Sequence, residues 1–370
     1  MRAAKAVDME VALDLAFQAS PDHPAVTDHP QWFRHRPDGT VQYAENPPKT
    51  YQDIYPFDFE SEAWADLWSG LDTVVETWIE RGVRIFRVDN PHTKPFAFWA
   101  WLIGSVKARH PEVLFLAEAF TRPKVMYRLA KLGFSQSYTY FTWRTTKAEL
   151  EAYFEEITRP PVSDFFRPNL WPNTPDILHE VLQTGGHPAF ALRAVLAATL
   201  GANWGVYGPP FEQLEARPHE PGSEEYLDAE KYEIRHWQLD RPGTLAGLLG
   251  DLNRIRRAQP ALQRDDGLRF RAVDAEGLIA YTKQALGAPP ILCIVNLDSH
   301  RRQAGTVELP LAELGLPADA PYAAHDLLDG ASYRWQGPRN RVDLDPAVRP
   351  GHVFLLEGPG AATRPPRAGR

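Results

Sequence analysis

The sequence has little that could crosslink it or anchor it in a bilayer. Only one of its 370 residues is a cysteine, Cys293, and it lies inside the apolar run 291–295. One cysteine can form neither an internal disulfide nor a thiolate metal cage, so we expect a buried core thiol. The sequence also lacks an N-terminal signal pattern and an apolar run of the ~20 residues that a membrane span needs. We therefore expect a cytoplasmic location.

Strong charge of one sign is also missing. The formal net charge is −8, and no block of like charge stands out, so binding to nucleic acid or to a membrane surface has no electrostatic support. Walker-type phosphate loops, Gly-x-Gly-x-x-Gly, Gly-x-Ser-x-Gly and zinc-protease motifs are absent. His179 and His187 are too isolated to predict a metal site. No metal and no cofactor are expected.

What is present is a regular alternation of short apolar runs and amphipathic stretches up to about residue 260. The pattern predicts strands at 11–17, 84–88, 113–117, 135–141, 165–170 and 202–206. It predicts helices at 61–80, 96–108, 122–132, 146–157, 188–200 and 244–258. Such alternation implies parallel strands with helical crossovers, as in a (β/α)₈ TIM barrel, of which six strands would be present.

The pattern changes after Pro260. From Gly267 onward, short strand-like runs separated by turn residues replace helical periodicity, which indicates a small antiparallel β-sandwich. The expected organisation is a partial catalytic α/β barrel over 1–260, a sandwich over 267–358 and a disordered tail over 359–370.

Three carboxylates follow predicted barrel strands, where the catalytic groups of such barrels lie. Asp89 and Glu118 come directly after two strands, and Asp176 lies in the loop after a third. Two carboxylates that flank a glycosidic bond can act as nucleophile and general acid/base. Arg87, two residues before Asp89 on the same face, would keep that nucleophile ionised. The alternative is that each carboxylate is only a helix cap or a solvated loop residue.

Several segments resemble known conserved regions. Phe86-Arg87-Val88-Asp89 and Phe115-Leu116-Ala117-Glu118-Ala119-Phe120 are similar to the second and third conserved regions of the α-amylase superfamily, and Asp176 occupies the place of the fourth region's Asp. Residues 14–19 line up with the first region but end in Gln-Ala where Asn-His is common. These departures, with residues 20–24, 45–56, 89–95 and 230–233, resemble one branch, the α-1,4-glucan:maltose-1-phosphate maltosyltransferases.

That resemblance implies a retaining transfer of a maltosyl unit from α-maltose 1-phosphate to the non-reducing end of an α-1,4-glucan. Asp89 would be the nucleophile, Glu118 the acid/base, and Asp176 the residue that stabilises the transition state. Cations and neutral donors suit a phosphate. The residues expected to bind it are Asn46, Lys49, Tyr51 and Asn90, while Gln18, Lys231 and Tyr232 match positions expected to hold the maltosyl unit.

Two other functions stay open. One is an α-amylase-like hydrolase or transglycosidase that acts on glucan, and the other is a non-catalytic glucan-binding fragment. The fragment is considered because the strand at 11–17 resembles the family's third barrel strand, so strands one and two and the preceding domains would be missing. Open strand edges invite pairing with another chain, so a homodimer or a separate N-terminal fragment is a possible partner.

Overall fold

The structure is a computed structural model, and it describes residues 1–46, 49–230 and 232–359, without the side chains of Asn46 and Lys49. The chain forms two compact units. Unit 1 contains residues 1–138 and 165–167, and unit 2 contains residues 139–164 and the chain from 168 onward. The expected tail, 359–370, lies outside the described residues except for Pro359.

Unit 1 contains four parallel strands flanked by helices. Its strands are β1 (Ala12–Leu15), β2 (Gln18–Ala19), β3 (Ala44–Asn46), β4 (Lys49–Tyr51), β5 (Tyr55–Pro56), β6 (Ile85–Asp89), β7 (Leu114–Glu118) and β8 (Gln136–Tyr138). Its helices are α1 (Arg2–Lys5), α2 (Pro24–Asp28), α3 (Trp64–Glu80), α4 (Phe96–Arg109) and α5 (Pro123–Lys131). The parallel order is β1-β6-β7-β8, and β2–β5 and β3–β4 form separate antiparallel pairs.

The core of unit 1 follows directly from the sequence periodicity. In α3, Leu67, Leu71, Val75 and Ile79 recur every four residues and are all buried. In β6 the buried positions alternate with half-buried ones, as expected of a strand with one face against helices. The alternation leaves the other face of the strand, which carries residues 85, 87 and 89, for polar side chains at its carboxyl end.

Unit 2 begins with helices and one short parallel strand pair. Its helices are α6 (Lys147–Ile157), α7 (Glu180–Thr184), α8 (Gly186–Leu200), α9 (Gly208–Glu212) and α10 (Ala246–Ala258), and the pair consists of β9 (Pro168–Leu170) and β10 (Asn203–Trp204). A capping box starts α6, since Thr146 accepts from the Glu149 N–H while the Glu149 carboxylate accepts from the Thr146 N–H. Almost every residue of α8 is buried, which makes it the central helix of this unit.

The C-terminal part of unit 2 is an antiparallel sandwich. Its strands are β11 (Arg269–Arg271), β12 (Leu278–Lys283), β13 (Ile291–Asn296), β14 (Gln303–Glu308), β15 (Tyr322–Asp326), β16 (Ser332–Trp335), β17 (Arg339–Leu344) and β18 (Gly351–Glu357). Six of them form a sheet in the order β11-β12-β13-β18-β15-β16, and β14 pairs with β17. An aliphatic core joins the two sheets, and Cys293 is fully buried in β13, as the sequence predicts.

The predicted fold class is confirmed. Six parallel strands occur among the described residues, four in unit 1 and two in unit 2, and each falls within a segment predicted as a strand or extends it by one residue. The antiparallel sheets follow after them. The predicted domain limits at 260 and 267 stay predictions. The sequence patterns did not reveal the β3–β4 hairpin, because strands of three residues carry too little periodicity to be recognised.

Candidate active site

Asp89 and Glu118 face each other across two neighbouring strands. They are the last residues of β6 and β7, and the parallel register pairs them directly. Adjacent strands lie about 4.8 Å apart, so the two side chains leave the sheet from neighbouring positions. The Asp89 side chain is 23% exposed and that of Glu118 is 12% exposed. Backbone pairing alone therefore brings two accessible carboxylates to one strand edge.

Arg87 connects these two carboxylates with a third. Its Nη1 lies 3.1 Å from Oδ1 of Asp89 and 2.8 Å from Oδ2 of Asp14, and its Nη2 lies 3.5 Å from Oε2 of Glu118. Asp14 lies on β1 opposite Arg87 in the strand register. We call this group the Arg87 cluster: the guanidinium of Arg87 with the carboxylates of Asp14, Asp89 and Glu118. The guanidinium therefore lies within reach of the negative charge of all three carboxylates.

The electrostatics of the cluster favour a permanently charged arginine. Burial acts to lower the pKa of Arg87, but the charges of Glu118, Asp14 and Asp89 outweigh it and raise the pKa well above its ordinary value. Tyr138, at the end of β8, hydrogen-bonds to Arg87, and burial is the largest cause that raises its pKa to about 12. Arg87 therefore stays a cation and the Tyr138 phenol stays neutral at physiological pH.

The turn after β6 has an unusual backbone. Asn90 adopts left-handed angles, φ 42° and ψ 54°, which a non-glycine residue rarely uses. Its N–H donates to Oε2 of Glu118 at 3.3 Å. A short 3₁₀ turn, Pro91–Thr93, follows, and the Thr93 hydroxyl donates back to the Asn90 carbonyl at 2.7 Å. Asn90, which the resemblance assigns to phosphate binding, thus contacts the candidate acid/base through its main chain.

The remaining predicted residues of unit 1 lie in the β2–β5 region and the β3–β4 hairpin. Gln18 is half-buried in β2 and pairs with Pro56. Asn46 and Lys49 pair across the hairpin, and Tyr51, 36% exposed, ends its second strand. The structure does not bring these four residues into a described contact with Asp89 or Glu118.

Three predicted residues belong to unit 2. Asp176 is exposed and lies in a tight turn, where its N–H donates to the Thr174 hydroxyl at 3.2 Å. Tyr232 is 77% exposed. Lys231 lies outside the described residues. Just before it, Glu230 accepts from the Tyr207 hydroxyl at 2.6 Å and anchors this segment.

Two members of the site were not singled out as site residues from the sequence. Lys94 is buried, and its Nζ donates to the carbonyl oxygens of Asp89 at 3.2 Å and Asn90 at 3.4 Å. Tyr138 was not distinguished from the other aromatic residues of the segment 138–141. The sequence carries no signal that separates Lys94 from an ordinary loop lysine, because lysines in turns are mostly exposed.

Neither a metal site nor a membrane span is evident in the described ranges. Within 1–46, 49–230 and 232–359, no three His, Cys, Asp or Glu side chains are grouped so that they could hold a metal ion. In those same ranges, the helices are too short or too polar to cross a bilayer.

Comparison with known proteins identifies close relatives. A family model described as "GLGE, C-terminal" matches residues 270–356. The chain is 53% identical over 360 residues to an α-1,4-glucan:maltose-1-phosphate maltosyltransferase of Methylacidiphilum infernorum, an alignment that covers 96% of this chain and 54% of the relative. The same name belongs to a Myxococcus xanthus protein, 54% identical over 344 residues, which cover 93% of this chain and 51% of that protein.

Solved structures with the same fold include α-amylases. A maltogenic α-amylase, AmyB of Thermotoga neapolitana, superposes with a TM-score of 0.71 at 17% identity, covering 96% of this chain and 79% of that one. The α-amylase of Geobacillus thermoleovorans, solved with acarbose, also gives a TM-score of 0.71, at 15% identity and the same coverage. The fold is therefore that of the α-amylases.

The resemblance drawn from the sequence motifs is confirmed. This chain is homologous to the α-1,4-glucan:maltose-1-phosphate maltosyltransferases over nearly all of its length. It spans about half the length of the curated relatives that it matches.

Proposed function

We propose that this chain transfers a maltosyl unit from α-maltose 1-phosphate to the non-reducing end of an α-1,4-glucan with retention of configuration. The supporting observation is the direct pairing of Asp89 with Glu118 at one strand edge, with Arg87 in contact with both. The names of relatives at 50% identity or more give the substrates.

In the first step, a carboxylate oxygen of Asp89 attacks the anomeric carbon of the donor. The bond from that carbon to the phosphate oxygen breaks, and Glu118 gives its proton to the departing phosphate. The product is inorganic phosphate and a β-maltosyl ester of Asp89. Arg87 supports this step because its guanidinium, 3.1 Å from Asp89, holds the attacking carboxylate in place.

In the second step, Glu118 acts as a base. It takes the proton of the acceptor's 4-hydroxyl while that oxygen attacks the anomeric carbon, and the ester bond to Asp89 breaks. Asp89 leaves as a carboxylate beside Arg87, and Glu118 ends protonated for the next cycle. Two inversions give an α-linked product.

The residues that would hold the donor stay as the sequence predicts them. Asn46, Lys49, Tyr51 and Asn90 are proposed for the phosphate, because donors and cations suit an anion. Asp176 is proposed to stabilise the transition state, and Gln18, Lys231 and Tyr232 are proposed to bind the sugar.

The test uses the full chain with α-maltose 1-phosphate and maltohexaose. The expected result is release of one phosphate per transfer and products longer by two glucose units, with an α linkage by NMR. Asp89→Asn and Glu118→Gln should each lower turnover at least 10³-fold, in line with removal of a catalytic group. Asp72→Asn is the matched control, because Asp72 pairs with Arg109 at 2.8 Å on the outer helices.

A donor that carries fluorine at C2 and a good leaving group should accumulate the ester, visible as a mass increase on the peptide that contains Asp89. Cleavage of maltohexaose with the phosphate ester untouched would instead establish a glucan hydrolase. Glucan binding without either reaction would establish the non-catalytic alternative.

A further inference from the structure

We propose that Lys94 is a positioning residue for the Asp89–Glu118 pair. Its side chain is only 9% exposed, and its ammonium group binds two consecutive backbone carbonyls, those of Asp89 and Asn90, at 3.2 and 3.4 Å. The inference rests on the proposed function, since it assigns Lys94 to the machinery of that same site.

The backbone at Asn90 needs support from its neighbours. Left-handed angles cost a non-glycine residue about 1 kcal/mol or more, so neighbouring contacts must hold Asn90 there. The Asn90 carbonyl accepts from the Thr93 N–H, the Thr93 hydroxyl and the Lys94 ammonium. Lys94 alone of these donors also reaches the carbonyl of Asp89, and so it ties the end of β6 to the turn.

The turn at Asn90 also supplies a hydrogen-bond donor to Glu118. In this structure Asn90 combines left-handed backbone angles with an N–H that donates to Oε2 of Glu118 at 3.3 Å. If the turn relaxed, the carboxylate of Glu118 would lose this donor, and the Asp89 side chain would lose its fixed direction. The turn is also held by the fully buried Trp99, whose indole N–H donates to the Pro91 carbonyl at 2.8 Å.

Lys94 also brings a positive charge close to the two carboxylates. Burial lowers the pKa of Lys94, and the negative charges of Asp89 and Glu118 oppose that shift. The attraction is mutual, so the ammonium adds positive charge near both carboxylates. His92 also interacts with Lys94, since burial followed by the charge of Lys94 lowers the pKa of His92. Arg87, Asp14 and Tyr138 are the other charged or titratable groups around the same carboxylates. Lys94 is thus a second cation, besides Arg87, that interacts with both carboxylates.

The test compares Lys94→Met, which keeps the length of the side chain but removes its charge and donors, with Lys94→Arg, which keeps both. The matched control is Lys107→Met, because Lys107 also donates to a backbone carbonyl, that of Val113 at 2.8 Å, at the opposite end of β7. A displacement of about 1 Å costs roughly 100-fold in rate. We therefore expect Lys94→Met to lose about 100-fold in kcat, with KM within about twofold.

Two further readouts separate positioning from loss of folding. The alkaline limb of kcat/KM, which reports the essential acid, should move to higher pH in Lys94→Met, because a nearby positive charge is lost. Lys94→Arg should recover at least about tenfold of the lost rate and restore the limb, since a guanidinium supplies both donors and charge. An equal loss of kcat in Lys107→Met, or no recovery in Lys94→Arg, would overturn the assignment.

Amide exchange of the unliganded protein decides the structural part without any turnover. Peptides over 86–94 should exchange faster in Lys94→Met than in wild type and in Lys107→Met. If wild type transfers no maltosyl unit, the proposed function fails, whereas unchanged exchange over 86–94 refutes the role of Lys94 by itself.

Discussion

Replacement of Arg87 by Met offers the sharpest test of the electrostatics described above. The variant leaves three carboxylates, those of Asp14, Asp89 and Glu118, without the guanidinium that lies 2.8 to 3.5 Å from each. Because the Arg87 side chain is 19% exposed, the two contacts with the less exposed Asp89 and Glu118 carry most of the effect. The Asp14 side chain is 58% exposed, so its contact with Arg87 is discounted to about 0–1 kcal/mol.

The magnitude follows from the partly buried contacts. At an effective dielectric constant near 20, a charge pair at this range attracts by about 4 kcal/mol, and desolvation offsets part of this. Breaking a buried pair by removing one partner costs about 3–5 kcal/mol, and we expect unit 1 of Arg87→Met to lose about that much at pH 8.

The pH dependence gives the prediction its sign. The pKa of Arg87 is raised in the folded state, so its contribution is fully present below the pKa of an unfolded arginine and covers the whole range from pH 5 to 9. The attraction also needs ionised carboxylates, whose ordinary pKa values are near 4. The difference between wild type and variant should therefore be largest at pH 8 and shrink as the pH falls toward 4.

Urea unfolding is monitored by tryptophan fluorescence and circular dichroism at pH 4, 5, 6 and 8, with separate transitions fitted where two occur. Arg84→Met is the control, because Arg84 pairs with Glu112 at 3.0 Å and its side chain is 35% exposed. This control should lose about 1 kcal/mol or less at every pH. A loss in Arg87→Met that is below 1 kcal/mol, or that does not vary with pH, would refute the reasoning.

Three further predictions concern single groups. Asn90→Gly should keep or slightly raise the free energy of unfolding, because glycine tolerates φ 42°, while Asn90→Ala should lower it by about 1 kcal/mol in urea titrations. Tyr138→Phe should remove one phenol that ionises near pH 12, seen as a missing late step in absorbance at 295 nm. Asp326→Asn should destabilise the sandwich by about 3 kcal/mol in thermal melts, because buried Asp326 contacts His352 at 2.6 Å and Arg349 at 3.3 Å.

The fold and the centre of the site were accessible from the sequence because both depend on local patterns. Apolar runs predicted the strands, and the rule that catalytic groups follow strand ends picked out Asp89 and Glu118. Lys94 and Tyr138 were not recognised, because their roles come from contacts that form only when a turn and a neighbouring strand pack against β6. The β3–β4 hairpin was not predicted for the same reason, because tertiary contacts rather than sequence periodicity define such short strands.

The pairing of residue 89 with residue 118 has a consequence for how this site can change over time. The spacing of the two backbone positions is set by the hydrogen-bond ladder of the main chain, while the length and rotamer of each side chain set where its carboxylate lies. Substitutions at neighbouring positions can therefore reshape the surroundings of the pair while residues 89 and 118 keep their register. An inserted or deleted residue within β6 or β7 would instead shift one strand against the other and end this pairing.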